Sequence, residues 1–550
     1  MKTCIRNHHG APTLFIDGQP DTGLMLYHNN VERGHDEIAD FARAGIDLIT
    51  TSVGSTASMS TDAIDEKMRL ILKANPRALV LTRLGIGPSA EWATAHPGEM
   101  NVNYDPYLDQ NVESEYRIVS FASAPWRAEM GAQLQELIRY CEENYSDHFL
   151  GYHLAAGECG EWAYAWRHYT QSDYSPAQLA AFRRWRNDPA AEIPRDWRRH
   201  EGDDGVIHDP VLQDYMRFHS EVVADAVCHF ARLAKEELAR LGREKIVAIF
   251  YGYHFTPPGN PSAFFNSGHH ALAKVLASPD VDVLCAPYSY FQREAGGTYY
   301  SQLVAGSVRL AGKLYYSEED TVTHVVPAVP YRYHCPDRWT TENVLRRNIL
   351  GSLRDGGTSW YMDWFGSNWY RDDALMADIA ATQQLAQQRL AFDNQSVAQI
   401  AVVVDESIVT RLQHDPELIN RWTLERLNNL WRLGAPVDVF LKPDRPKIDR
   451  EQYRLIVELD REQPTNWREQ AHAAGVHLYT DAGDQILAER QLLTIHASSD
   501  GPRRIRLPRP CRIVEAFTGE TVLEHGTEFT ITLRRGETAV WTLREAEGPV

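Results

Sequence analysis

The chain has 550 residues, with 56 Lys and Arg against 75 Asp and Glu, a formal charge of −19. Its 43% hydrophobic and 24% charged residues are those of a folded globular protein and exclude a disordered chain. The acidic balance argues against nucleic acid or an anionic membrane surface as partner, because phosphate neutralisation needs clustered Lys and Arg. No window of ~20 consecutive apolar residues supplies a membrane-spanning helix.

The opening Met1-Lys-Thr-Cys-Ile-Arg lacks the apolar run of a signal peptide. A cytoplasmic protein is expected, or one whose leader has been removed. The seven cysteines are scattered without a Cys-x-x-Cys, which points to reduced thiols rather than a disulfide framework or a cysteine-based zinc site.

In chain order, Pro12 to Pro20 reads as a hairpin turning at Asp17-Gly18, a pair suited to φ > 0. Short apolar strands then alternate with longer helical patterns. Strands are predicted at 22–27, 46–53, 78–84, 149–155, 245–251, 281–287, 313–317 and 358–363. Helices are predicted at 34–44, 62–74, 125–143, 211–241, 269–277, 297–310, 342–353 and 373–389. Near-continuous apolar runs such as Val247 to Tyr251 are those of buried parallel strands. Eight strand–helix pairs over ~370 residues predict a (β/α)8 TIM barrel, with an open doubly wound sheet as the alternative. The Pro-, Arg- and Trp-rich stretch 171–209 reads as an insertion in the fourth connection.

Further on, the strand Gln399 to Val404, a helix at 418–433, the strand Val437 to Leu441, the strand Tyr453 to Glu458 and a strand Val476 to Tyr479 make a small open α/β unit. From about residue 500, alternating strands with a Thr518-Gly519 turn suit a compact β-sandwich. The expected division is therefore a barrel unit with its N-terminal hairpin at 1–393, an α/β unit at 394–497, and a β-sandwich at 498–550.

Barrel chemistry sits at the carboxyl ends of the strands and in the loops after them. Two of those places hold clustered acids: Gly151-Tyr-His-Leu-Ala-Ala-Gly-Glu158-Cys-Gly-Glu161-Trp162 and Lys313-Leu-Tyr-Tyr-Ser-Glu318-Glu319-Asp320-Thr-Val-Thr-His324. Strand ends four and seven face each other across a barrel mouth, and a carboxyl pair there suits glycoside hydrolysis. Aromatic residues surround both: Trp162, Tyr164 and Trp166, then Tyr251 and Tyr253, Tyr288 and Tyr290, and Trp360 with Asp363, Trp369 and Tyr370 in the eighth segment. Sugars pair with aromatic platforms and polar groups. Arg83 ends strand three as a charge partner for an acid. A metal-dependent reading would use His153, His254, His269, His270 and His324, but no His-x-His or His-Glu-x-x-His spacing supports it. His153 and His324 read instead as sugar-hydroxyl ligands or supports for the acids. Cys159 reads as a small filler with no activating base.

These segments, with Phe250 to Tyr253, Ser267 to Leu272, Ser278 to Val283, Ala401 to Ser407 and Gly434 to Val439, together resemble the clan A glycoside hydrolases. Within that clan they resemble the family 42 β-galactosidases and related three-domain barrel glycosidases. The resemblance implies a TIM barrel, a flavodoxin-like α/β domain and a β-domain. It also implies a retaining exo-β-glycosidase acting without a cofactor on a terminal hexose, galactose by default and mannose otherwise. On that pattern Glu318 matches the nucleophile and Glu161 the acid/base, with Glu158 as the alternative acid and a substrate ligand. Gly160 and Gly157 stand before these two acids, where the clan has Asn. Substrate contacts are expected from Arg83, His153, Tyr251, Tyr253, Tyr288, His324, Trp360, Asp363, Trp369 and Tyr370. The implied partner is an oligosaccharide or glycoside. Assembly through the α/β unit into a homo-oligomer, a trimer first, is also implied. A barrel that binds carbohydrate without turning it over is the competing reading.

Overall fold

The computed structural model describes residues 1–113, 117–164, 170–200, 202, 206–255, 266–330, 332–411, 426–459 and 466–545. Trp166 and residues 418–425 of the expected helix lie outside the described residues; the described part of that helix is Arg426–Trp431.

Eight parallel strands close into a barrel: β1 (Met25–His28), β2 (Leu48–Ser55), β3 (Leu79–Gly85), β4 (Phe149–Ala155), β5 (Ile246–Phe250), β6 (Val283–Pro287), β7 (Leu314–Glu319) and β8 (Thr358–Asp363). Each pairs with its sequence neighbours and β8 pairs with β1. The open-sheet alternative is thereby excluded. β4, β5, β6, β7 and β8 are buried along their whole length, as continuous apolar runs require when helices cover one face and the barrel interior the other. The enclosing helices start at their own caps: Ser60, Ser123, Asp209, Asp337 and Asp372 each accept a first-turn backbone N–H.

The N-terminal strands Thr3–His8, Ala11–Ile16 and Gln19–Asp21 form an antiparallel sheet, turning at Asp17 (φ 47°) and Gly18 (φ 83°) as the sequence predicts. Thr3 joins this sheet to the barrel: its Oγ1 donates to Leu150 O at 2.5 Å and accepts from Ile246 N at 3.1 Å.

After the barrel, β9 (Ile400–Val404), β10 (Val437–Leu441) and β11 (Leu455–Glu458) form a parallel sheet in the order β10-β9-β11. The segment 476–479 is not a strand of this sheet. Instead Tyr479 bonds Gly434 and Arg506 through its backbone, linking the α/β unit to the C-terminal sheet. That last unit is an antiparallel sheet of β12 (Gln485–Ala488), β13 (Leu492–His496), β14 (Gly501–Glu515), β15 (Thr521–Leu533) and β16 (Thr538–Glu545), in the order β12-β13-β16-β14-β15. It opens at Gln485, ahead of residue 498. Buried ion pairs tie the units together: Arg389 with Glu489 at 2.6 Å, and Arg354 with Asp438 at 2.8 Å.

Candidate active site

Side chains alternate along a strand, so Glu318 and Asp320 share one side of the β7 end while Glu319 takes the other. In register, Glu318 lies beside Trp360 of β8 and Pro287 of β6. Glu319 points away from the barrel axis. Its carboxylate accepts Thr321 N, and Asn348 of the covering helix works against the rise in its pKa that burial causes.

The loop after β4 folds back on itself. Glu158 N donates to Ala163 O at 2.9 Å and Trp162 N to Ala156 O at 2.7 Å. Such a tight return needs left-handed backbone at Gly157 (φ 76°), Cys159 (φ 55°), Gly160 (φ 77°) and Trp162 (φ 56°). Arg83 ends β3 beneath it, donating from Nη2 to Cys159 O at 2.9 Å and from Nη1 to Tyr27 Oη at 3.0 Å. A Cβ at position 160 would come within 2.9 Å of Arg83 Nη2. The glycine that stands where the clan has Asn therefore makes room for the guanidinium.

Glu161 and Glu318 influence each other's titration and face the same cations. Burial, then the Glu318 charge, pushes Glu161 up to about 8, against Arg83 and Arg332. Burial also raises Glu318, but Arg83, Arg332 and Arg293 pull it back and the Trp360 indole N–H, which has no other acceptor, faces it. Three cations and an N–H on Glu318 make it the carboxyl that ionises first, leaving the proton on Glu161. Burial opposes the charge of Arg83, yet Tyr27, Glu318 and Glu161 together raise its pKa.

Below this pair lies an aromatic floor. Trp360 stacks on Tyr316 at 5.5 Å and on Tyr27 at 6.3 Å, and Phe250 meets it edge-on at 5.9 Å. His153 packs on Phe250 at 4.5 Å, is fully buried, and has neither ring nitrogen hydrogen-bonded. Burial, reinforced by Arg83, drives its pKa well below the usual histidine value, so the ring is neutral. Tyr253, buried nearby, has its pKa raised by burial and by both glutamates. Glu158 is also buried and adds a like-charge push on Glu161.

Arg83, His153, Glu158, Tyr253 and Trp360 thus gather around the pair. Other expected substrate ligands serve the protein itself. Tyr251 donates to Gly268 O at 2.8 Å on the outer side of β5. Tyr288 bonds Thr321 and lies under Arg293. Trp369 donates to Ser367, and Tyr370 reaches the Glu319 and Met362 carbonyls. His324 pairs with Thr341 at the start of a covering helix. Asp363 accepts Ser367 N and Asn368 N and faces His28, which also faces Glu37, all fully buried. His28 Nδ1 accepts Asn30 N–H, so Nε2 carries the proton toward both carboxyls, a geometry for sharing protons rather than ligating a metal. A ring near a strand end can point outward into the helix layer as well as inward.

Arg293 and Arg332 carry no strand-end signal in the sequence because, unlike Arg83, neither lies in a strand: they stand in the loops after β6 and β7. Both converge on Asp320, Arg293 at 2.5 Å, and Tyr290 donates to it at 3.0 Å. Arg332 also lies 4.3 Å over the Trp364 ring. Scanning the loops after strands six and seven for arginine would have found both.

No family model and no curated protein matches the sequence. Solved structures do match the fold. A β-galactosidase from Bacillus circulans sp. alkalophilus superposes with a TM-score of 0.54 at 10% identity, covering 94% of this chain and 98% of that one. An exo-β-1,4-mannosidase from Opitutaceae bacterium strain TAV5 gives a TM-score of 0.47 at 12% identity, covering 98% of this chain and 91% of that one. An α-L-fucosidase isoenzyme from Paenibacillus thiaminolyticus gives 0.45 at 12%, covering 92% of this chain and 70% of that one. Over nearly its whole length, the chain has the glycoside hydrolase-like fold of the Bacillus β-galactosidase: a TIM barrel, then a parallel α/β sheet, then an antiparallel sheet.

Proposed function

We propose that the protein is a retaining exo-β-glycosidase acting on a terminal β-linked hexose, galactose first and mannose second. The observation that carries the reading is that Glu318, at the end of β7, and Glu161, in the loop after β4, act on each other's charge and on the same arginines, Arg83 and Arg332. Glu318, kept ionised by the charges of Arg83, Arg332 and Arg293, attacks the anomeric carbon, and the bond to the leaving oxygen breaks as Glu161 protonates it. Glu161, now ionised, takes a proton from water, whose oxygen displaces Glu318 and releases the sugar. Arg83 keeps the nucleophile charged. Trp360 and Phe250, both fully buried, form the packed aromatic floor under the pair, with neutral His153 packed among them. No cofactor or metal enters these steps. With this reading goes assembly as a homo-oligomer, a trimer first, which a solution mass at a multiple of 62.6 kDa would test.

The test is hydrolysis of nitrophenyl β-hexosides. Turnover should survive chelation, vanish in Glu318→Ala and return in part with azide. An activated 2-deoxy-2-fluoro glycoside should label Glu318. Label on another residue, or turnover untouched in Glu318→Ala, refutes the assignment. The competing reading, carbohydrate binding without turnover, is favoured by Gly160 in the clan's Asn position and requires binding of the same sugars with no hydrolysis.

A further inference from the structure

The short helix Leu272–Leu276 after β5 has no side-chain cap of its own. Its first N–H groups are instead taken by an acid from the α/β unit. Glu406, just past β9, accepts Leu272 N through Oε1 at 2.6 Å and Ala273 N through Oε2 at 3.2 Å. The same Oε1 lies 3.0 Å from His254 Nε2, while His254 Nδ1 lies 2.7 Å from Gly252 O. Both nitrogens of His254 thus face acceptors, which fastens Glu406 to the β5 end as well.

Immediately before that helix stands His269. Its Nδ1 accepts Tyr253 N at 3.3 Å, so Nε2 carries the proton, and Nε2 lies 2.9 Å from the carbonyl oxygen of Glu161. Burial depresses the His269 pKa to about 3, so the ring stays neutral and the tautomer does not change with working pH. The chain of contacts is continuous: Glu406 fixes the start of the helix, the preceding residues present His269, and His269 holds the backbone of the loop that carries Glu161.

We propose that Glu406 and His269 are positioning residues for Glu161, so that the α/β unit completes the acid/base apparatus of the barrel. This rests on the assignment of Glu161 as the acid. The five-residue helix beside this loop is capped by an acid from a separate, packed unit.

The experiment uses the full chain and a pair of β-glycosides of the hexose turned over, one with a phenol leaving group and one with 2,4-dinitrophenol. Only the poor leaving group needs the acid in the step reported by kcat/KM. Glu406→Ala and His269→Phe should each lower kcat/KM for the phenyl glycoside by about tenfold or more and leave the dinitrophenyl glycoside within about threefold. His269→Gln, which keeps a donor near the Nε2 position, should recover most of the loss. Equal losses on both substrates would mark general structural damage and overturn the proposal, as would wild-type values in both variants. Glu161→Gln is the control: normal phenyl glycoside hydrolysis in that variant would remove the acid assignment itself, whereas a selective loss there with none in Glu406→Ala and His269→Phe would remove only the relay.

Discussion

Replacing Glu161 with Gln gives a stability change whose size and pH dependence come directly from the site. In the folded protein Glu161 keeps its proton up to about pH 8, whereas an exposed glutamate loses it near 4.5. Between those values unfolding releases a proton that the native state retains, so native stability falls as pH rises through the interval. At ~1.4 kcal/mol per pH unit, the interval corresponds to about 5 kcal/mol by pH 8. Gln stays neutral in both states and does not incur this loss. With about 2 cal/mol/K per residue over roughly 390 residues, the unfolding entropy of the barrel is about 0.8 kcal/mol/K, which converts the difference into about 6 °C. Calorimetry of the barrel transition at steps from pH 4.5 to 8.5 should show wild type and Glu161→Gln coinciding at the acid end. The variant should melt progressively higher toward pH 8. Parallel curves with a constant offset would show that Glu161 is not the group retaining a proton and would undo the division of labour between the two glutamates.

The other predictions rest on single contacts. Arg83→Gln removes the leading cation on Glu318, so the Glu318 pKa rises and the acidic limb of the kcat/KM profile moves up by about one pH unit; an unmoved limb contradicts the pairing. Gly160→Ala places a Cβ 2.9 Å from Arg83 Nη2 at φ 77°, and should cost about 1–2 kcal/mol of stability together with most of the activity. Wild-type turnover in that variant would show the loop to be plastic. Arg389→Met leaves Glu489 buried without its partner, for a loss of about 3–5 kcal/mol, while Arg389→Met with Glu489→Leu should recover most of it. Chemical denaturation of the two variants measures the difference, and equal stabilities would refute it.

How much was legible in the sequence can be judged from particular residues. The strands of the barrel, the Asp17-Gly18 hairpin and the change to parallel α/β and then antiparallel β were readable because each leaves a local signal in apolar period and turn residues. Glu161 and Glu318 stood out because barrels place chemistry at strand ends and in the loops after them; Glu318 ends β7 and Glu161 lies in the loop after β4. Tyr251, Trp369 and Tyr370, expected as substrate ligands, give their polar atoms to the protein's own groups, and a ring just past a strand carries no local mark of which way it faces. Arg332 and Arg293 converge on Asp320 from two separate loops, a convergence made by folding alone.

The sequence by itself determined the order of the elements, since burial on two faces, capping and turn formation are decided within a few residues of chain. Only the tertiary structure decided the electrostatics of the site. The pKa of Glu161 depends on its burial, on Glu318 brought up from the opposite strand end and on Arg83 from a third strand, all of which act through space. The same holds for Glu406, whose carboxylate caps a helix 134 positions away in the chain. Coulomb and solvation energies depend on distance and surroundings, and neither is written in the spacing of residues along the backbone.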